Sequence, residues 1–477
     1  SENTMRIFEI LLSLLLVLIP LARIIRPLAR LRWLLPALGA GLALVLLLQF
    51  FIERLRWQLI PLYILALYWL VAALREEFAE SSDAKSGVST KPARMAWLGL
   101  VLAVIFLAPP ILLPVPQMSQ PSGPYAVGTT IFYWEDPDRP ELYTDELGDT
   151  RRLMVQVWYP VPAGSGGARA KYLDNPQVAL PALAKKFKIA PFLLSHLDLA
   201  TTNSILDAPT AEGAFPVLLF SHGWTGIRKQ NTFQMEELAS HGYVIFAPDH
   251  TYGAMFTVFP DGTVALNKRD ALGSDDDSVE QYDLIARVLG QTWVGDLRFV
   301  LAQAAKVNSG AIASPLQGRL DLSRVGMLGH STGGGAVVEA CALEPACLAG
   351  LSMDAWLIPY DRALPAEGLE VPFLFMQSEL WSLPRNPALQ AALFEHMRAP
   401  AYRLTILGTS HYDFSDIPLI TPLAPLIGLK GPLPAARSLP IINQFSLAFF
   451  DQYLKGIPSP LLEDASGIPE VIFESKP

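Results

Sequence analysis

With 477 residues, of which 51% are hydrophobic and 17% charged, and a mean hydropathy of +0.32, the chain is too apolar for an ordinary soluble protein and long enough for two folded units. A net charge of -9 provides no basic field for a phosphate backbone, which argues against nucleic-acid binding. Two cysteines, Cys341 and Cys347, are too few for a disulfide scaffold, and no metal-ligand cluster includes them. Standing in CALEPAC, they are either a short bridge, which requires an oxidising compartment, or two small buried hydrophobes.

Four apolar segments, residues 7–25, 33–52, 57–74 and 96–113, are each about long enough to cross ~30 Å of hydrocarbon. They predict an all-α four-helix transmembrane domain over residues 1–118. The first segment is followed by Arg23, Arg26, Arg30 and Arg32 and lacks a small-residue cleavage pattern, so it is expected to stay uncut. Lys and Arg are held on the cytoplasmic side. The first and third loops carry eight such residues (the four arginines, then Arg75, Lys85, Lys91 and Arg94) against three, Arg6, Arg54 and Arg56, at the N-terminus and second loop. The N-terminus and everything after the fourth helix are therefore expected outside the cytoplasm. Trp33, Trp57, Trp69 and Trp97 near helix ends fit an interfacial belt. No ionisable residue stands mid-span, so the segments read as an anchor and not as an ion or proton pathway.

A proline-rich connector over residues 107–124 leads into a different pattern. Short apolar runs, at residues 152–160, 215–223, 243–250, 324–331, 348–355, 372–379 and 402–411, alternate with helical stretches at 231–241, 282–305 and 333–342. Near-continuous apolar strands between helices predict an α/β domain over residues 119–477 with a doubly wound, mostly parallel sheet.

Gly329-His330-Ser331-Thr332-Gly333 matches G-x-S-x-G, directly after an apolar strand and directly before a helix, the setting of a nucleophile elbow. Ser331 is the expected nucleophile, and it requires a base and a group to orient that base. In the α/β-hydrolase order Ser, acid, His, only His396 and His411 follow Ser331. His411 stands past a strand in a Gly/Thr/Ser turn and is the expected base, whereas His396 reads as a solvated helix residue. Asp354 and Glu379, each at a strand end, are both candidates for the acid; Asp413 and Asp416 lie too close behind His411 in sequence. Ser-His-Gly-Trp at 221–224 follows a strand and is expected to place the Trp224 N–H beside the Thr332 N–H as the oxyanion hole. His222 reads as a structural histidine of that loop. The acidic run 274–280 reads as a solvated turn, and no cofactor or metal is expected.

In order, SGPYAVG, QVWYP, LLFSHGWTG, ELASHGYVIFAPDH, GHSTGG, SMDAW, PFLFMQSE and LGTSHYDFSD resemble the plasma-type platelet-activating-factor acetylhydrolases, serine esterases of the α/β-hydrolase fold. The resemblance spans residues 123–456. It implies Asp354 as the acid, which demotes Glu379, and it supports His411 and the Trp224 and Thr332 amides. The chain departs from the family in the threonine after the nucleophile and in the four-helix segment.

The expected chemistry is hydrolysis of a carboxylic ester through an acyl-Ser331 intermediate. Apolar stretches at 179–197 and 417–429, suited to a lid or to lipid contact, favour amphipathic substrates: short-acyl or oxidised phospholipids first, polyesters or small esters next. The rival classes are a membrane acyltransferase that passes the acyl group to another hydroxyl and a non-catalytic hydrolase fold, against which the Ser, His and Asp set argues. The bilayer and an ester or phospholipid are the expected partners.

Overall fold

The computed structural model describes residues 5–81, 91–274 and 276–477; Lys85 of the third loop and Asp275 of the acidic run lie outside them. The chain forms two compact units. The first is Ser1–Gln117 with Phe192–Ala200 and Ile420–Leu423; the second is Met118–Pro191, Thr201–Leu419 and Ala424–Pro477.

In the first unit, Ile7–Ile24, Leu34–Glu53, Trp57–Arg75 and Ala93–Leu112 are helical, long enough and apolar enough to cross a membrane. Leu12, Leu16, Leu42, Leu62, Ala66, Ala96 and Ala103 form its interior. Leu14, Leu44, Ile64 and Val101 stay exposed, an outward apolar surface that water would penalise and lipid would not. Trp69 departs from the belt reading: it is buried, and a Cβ on Gly99 would meet its ring, so it is core packing. At one end, Glu9 accepts from Arg56 at 2.7 and 2.8 Å, and Arg56 also donates to the Leu113 carbonyl at 2.5 Å. The buried charge is thereby paired.

The second unit is built on an eleven-stranded sheet. Its chain contains β1 (Ala126–Pro140), β2 (Thr150–Val161), β3 (Arg169–Lys171), β4 (Thr201–Leu206), β5 (Phe215–Ser221), β6 (Val244–Pro248), β7 (Phe256–Val258), β8 (Val264–Leu266), β9 (Leu320–His330), β10 (Cys347–Met353), β11 (Phe373–Ser378), β12 (Ala401–Ile406) and β13 (Val471–Lys476). The order across the sheet is β13-β12-β11-β10-β9-β5-β6-β2-β1-β4-β3, with β7 and β8 paired apart. From β6 through β5, β9, β10 and β11 to β12 every pairing is parallel, and β13 and β2 flank this block antiparallel. Every residue of β5 and β6 is buried. That is why these strands read as continuous apolar runs: helices cover both faces.

Two of the covering helices matter most for the site. Val279–Ser309 starts at Ser278, whose side chain accepts from the Gln281 amide, and ends at Gly310 in the left-handed region. Thr332–Leu343 follows β9 directly and is buried from Thr332 to Cys341. Cys341 in that helix is bridged to Cys347 at the start of β10, with the Cα atoms 5.2 Å apart, which decides between the two sequence readings of this pair.

Candidate active site

Register brings the strand ends together. Ser221 of β5 lies opposite Gly329 of β9, and Met353 of β10 lies opposite His330, so the residues that follow these strands emerge side by side. This is the carboxyl edge of the parallel block, where α/β folds place their sites.

Ser331 has φ 56° and ψ -121°, a conformation that side-chain-bearing residues rarely adopt. The neighbouring glycines make the turn possible. A Cβ on Gly329 would strike the Gly333 carbonyl, and a Cβ on Gly333 would strike the carbonyls of Ser221 and His222. The turn is tied to β10 on both sides of Asp354: Ser331 N donates to Met353 O and Trp356 N donates to Ser331 O, each at 2.9 Å.

Asp354 follows β10 at φ 45° and is buried. Its Oδ1 accepts from the Ser378 amide at 2.7 Å, and its Oδ2 accepts from the Ser378 hydroxyl at 2.6 Å and meets His411 Nδ1 at 3.1 Å. His411 opens a short 3-10 turn capped reciprocally by Ser410 and Asp413. Its ring is stacked on Trp381, centroids 4.0 Å apart and planes 15° apart. Of the other acids weighed, Glu379 accepts from the Gly408 amide at 2.7 Å. Asp413 accepts from the Ser410 and Gly431 amides, and Asp416 from the Thr232 and Phe233 amides. His396 is exposed and bonds to the backbone of its own helix.

His330 is the residue sequence reasoning passed over. It lies between the Ser331 turn and the His411 loop, its ring 4.4 Å from the His411 ring. Nε2 meets the His411 carbonyl at 3.0 Å, so it carries the proton; Nδ1 then accepts from Gln230 Nε2 at 2.9 Å. Burial and the neighbouring His411 hold its pKa well below the ordinary histidine range, which keeps this neutral tautomer. The other end of the Gln230 amide, Oε1, accepts from the Gly223 amide at 3.1 Å. One glutamine therefore connects the Ser221–Trp224 loop to the ring beside Ser331.

That loop packs against the turn so closely that a Cβ on Gly223 would stand 3.1 Å from Ser331 Cβ. Thr332 is the first helical residue, so its amide has no intrahelical acceptor. The Trp224 amide likewise has no protein acceptor among the described residues. Beneath the loop, Ser221 Oγ meets His250 Nε2 at 2.8 Å, and His250 Nδ1 meets Asp296 Oδ2 at 2.9 Å. Arg151 pairs with Asp296 at 2.7 Å, and the arginine charges hold that carboxyl well below its usual range despite burial. His222 is structural, as read from the sequence: it bonds to the Gly223 carbonyl and accepts from the His250 amide. This Ser–His–Asp set is fully buried and serves as loop support. Its sequence signal was Asp296 itself, an acid on the mostly apolar buried side of a long helix.

Among the described residues no group of three or more His, Cys, Asp or Glu side chains is arranged to hold a metal. A cavity of about 260 Å³ lies behind Asp354, lined by Gln377, Trp381, Asn386, Gln390 and Arg403.

A parallel sheet with a strained serine at a strand-to-helix turn and a histidine–aspartate pair on adjoining loops belongs to the α/β-hydrolases, and the chain is a serine ester hydrolase of that class. Residues 295–457 match the family model described as platelet-activating factor acetylhydrolase, isoform II, and residues 187–265 match that of chlorophyllase. The platelet-activating factor acetylhydrolase of Cavia porcellus is 25% identical over 370 residues, covering 70% of this chain and 77% of its own. A probable 1-alkyl-2-acetylglycerophosphocholine esterase of Arthroderma benhamiae is 26% identical over 390 residues, covering 75% and 93%. Among solved structures, the ferulic acid esterase from Streptomyces cinnamoneus superposes with a TM-score of 0.61 at 27% identity, covering 75% of this chain and 99% of that one. These matches bear out the resemblance of the chain to the platelet-activating-factor acetylhydrolases.

Proposed function

We propose that the protein is a membrane-anchored esterase in which Ser331 attacks the ester carbonyl, His411 relays the proton to the leaving alcohol and Asp354 orients and stabilises the imidazolium. The Trp224 and Thr332 amides bind the oxyanion. Water then releases the acyl group. The observation that carries the reading is the His411 Nδ1 to Asp354 Oδ2 contact at 3.1 Å, on loops hydrogen-bonded to the two sides of the Ser331 turn.

The catalytic domain over residues 119–477 is assigned to the extracytoplasmic side. Two observations support this: the Arg- and Lys-bearing first and third loops, and the Cys341–Cys347 bridge, which an oxidising compartment sustains. The preferred substrates are amphipathic esters, short-acyl or oxidised phospholipids first. That choice is supported by the relatives named as acetylhydrolases of platelet-activating factor and by the four apolar helices.

Ser331→Ala is expected to abolish ester turnover and labelling by a fluorophosphonate probe while the thermal unfolding transition is kept. Labelling retained in that variant would remove Ser331 from the mechanism.

A further inference from the structure

Lys186 stands near the C-terminal end of the helix Pro176–Phe187. Basic residues there ordinarily complement the helix dipole from solvent. Lys186 is exposed and also reaches across to the Trp224 and His411 loops. Its Nζ donates to Thr225 Oγ1 at 2.7 Å, one residue after the Trp224 amide. The same ammonium lies 5.5 Å from the ring centroid of Tyr412, one residue after His411. Its positive field also reaches His330, beside the serine. The two contacts place one cation next to the oxyanion loop and the base loop. Among the described residues it has no acidic partner, although Arg228 and Lys229, three and four residues after Thr225, are both paired with Asp174.

An ammonium held by a hydroxyl and an aromatic face, without a carboxylate, has hydrogen-bonding capacity left for an anion. We propose that Lys186 is the anion receptor of the ester site, so that the preferred substrate carries a phosphodiester or a carboxylate close to the scissile ester. The proposal rests on the esterase reading of Ser331 and names the substrate chemistry of that site. Lys186 is a specificity residue here and takes no part in the acyl transfer.

The test compares full-length protein in detergent with Lys186→Ala, Lys186→Glu and Lys186→Arg on three monomeric esters. These are p-nitrophenyl butyrate (neutral), the p-nitrophenyl half-ester of glutarate (a carboxylate on the acyl limb) and dibutyryl phosphatidylglycerol (a phosphodiester on the alcohol limb). The ratio of kcat/KM on an anionic ester to that on the neutral one is expected to fall at least about fivefold in Lys186→Ala, mostly through KM, and further in Lys186→Glu. Lys186→Arg should retain most of it. Whichever anionic ester loses more identifies the source of the anion. The wild-type preference should also shrink with added salt, which a structural role would not produce.

A second arm needs no turnover. Calorimetric binding of hexyl phosphate and of hexanoate is compared with that of neutral hexanol in wild type, Ser331→Ala and Lys186→Ala. Weaker binding of either anion in Lys186→Ala alone, at unchanged hexanol binding, supports the receptor even where acyl chemistry at Ser331 fails. Anion binding within twofold of wild type in Lys186→Ala, or an equal loss for hexanol, overturns it.

Discussion

His330 Nε2 donates to the main-chain carbonyl of His411 across 3.0 Å. The residue before the proposed nucleophile thus holds the loop of the proposed base, and Gln230 holds His330 in turn while accepting from the Gly223 amide. These groups act through geometry, and a shift of about 1 Å in a reacting group can cost about 100-fold in rate. His330→Phe keeps a ring in the space but removes both hydrogen bonds. It is expected to lower kcat by about 10- to 100-fold with little change in KM. Gln230→Leu should act in the same direction and less. In the double variant the losses should fall short of additive, because both substitutions break one line of contacts. Full additivity, measured by steady-state kinetics on a nitrophenyl ester, would mean that the two residues act separately.

Asp354 and Glu379 are distinguished by what they hold. Asp354 meets His411 and both donors of Ser378, whereas exposed Glu379 caps the Gly408 amide. Asp354→Asn is expected to reduce kcat by about 10⁴-fold, since an amide cannot stabilise the imidazolium or fix its tautomer. Glu379→Gln, which retains an acceptor for Gly408, should leave kcat within about twofold. A larger loss at Glu379 than at Asp354 would reverse the assignment.

The strands that carry the site were legible because their buried stretches appear as apolar runs; β5, Val325–His330 of β9 and Ala349–Met353 of β10 are examples. β1 was not, since its burial alternates irregularly and it ends in the acidic, proline-bearing stretch WEDPDRP. The turn at Ser331 was visible as well: its glycines are required by close backbone approach, and that requirement leaves a spacing in the sequence. The choice between Asp354 and Glu379 was not visible from the residues alone. Both follow apolar strands, and only the positive φ of Asp354 and the paired donors of Ser378 direct one carboxylate toward His411. Gln230 and His330 escaped notice for a related reason. Their role depends on contacts between residues 100 and 81 positions apart, which no local pattern encodes.

The Cys341–Cys347 bridge joins the end of the helix that follows Ser331 to the strand that precedes Asp354. It closes a loop with a sequence separation of 6, so its stabilisation by chain entropy is small, about 2 kcal/mol. Cys341→Ser with Cys347→Ser is expected to lower the unfolding temperature by several degrees without abolishing turnover. Reductant should lower the wild-type transition by a similar amount and leave the double variant unmoved. If reductant shifts both proteins equally, the bridge is not the source of the change.

Asp416 gives the fold a pH dependence whose sign can be worked out. Its carboxyl is fully buried and caps the helix Thr232–Ser240 by accepting from the Thr232 amide at 2.9 Å and the Phe233 amide at 3.0 Å. Burial lifts its pKa from 3.8 to about 7; the amide donors oppose this, and the charge of Glu236 adds to it. In the unfolded chain the group titrates near 3.8, so between that pH and about 7 the folded state holds a proton that the unfolded state has lost. The resulting stabilisation is full below the unfolded value and disappears as pH rises through about 7. Asp416→Asn keeps an oxygen acceptor for the cap but never titrates. The unfolding temperature of wild type relative to Asp416→Asn should therefore decline from pH 4.5 to pH 8, with most of the change finished by about one unit above the folded pKa. Taking the difference removes the other carboxylates from the comparison, because they are common to both proteins. A difference that stays flat across the range, or rises with pH, would show that the two amide donors outweigh burial and that Asp416 is ionised in the folded protein throughout.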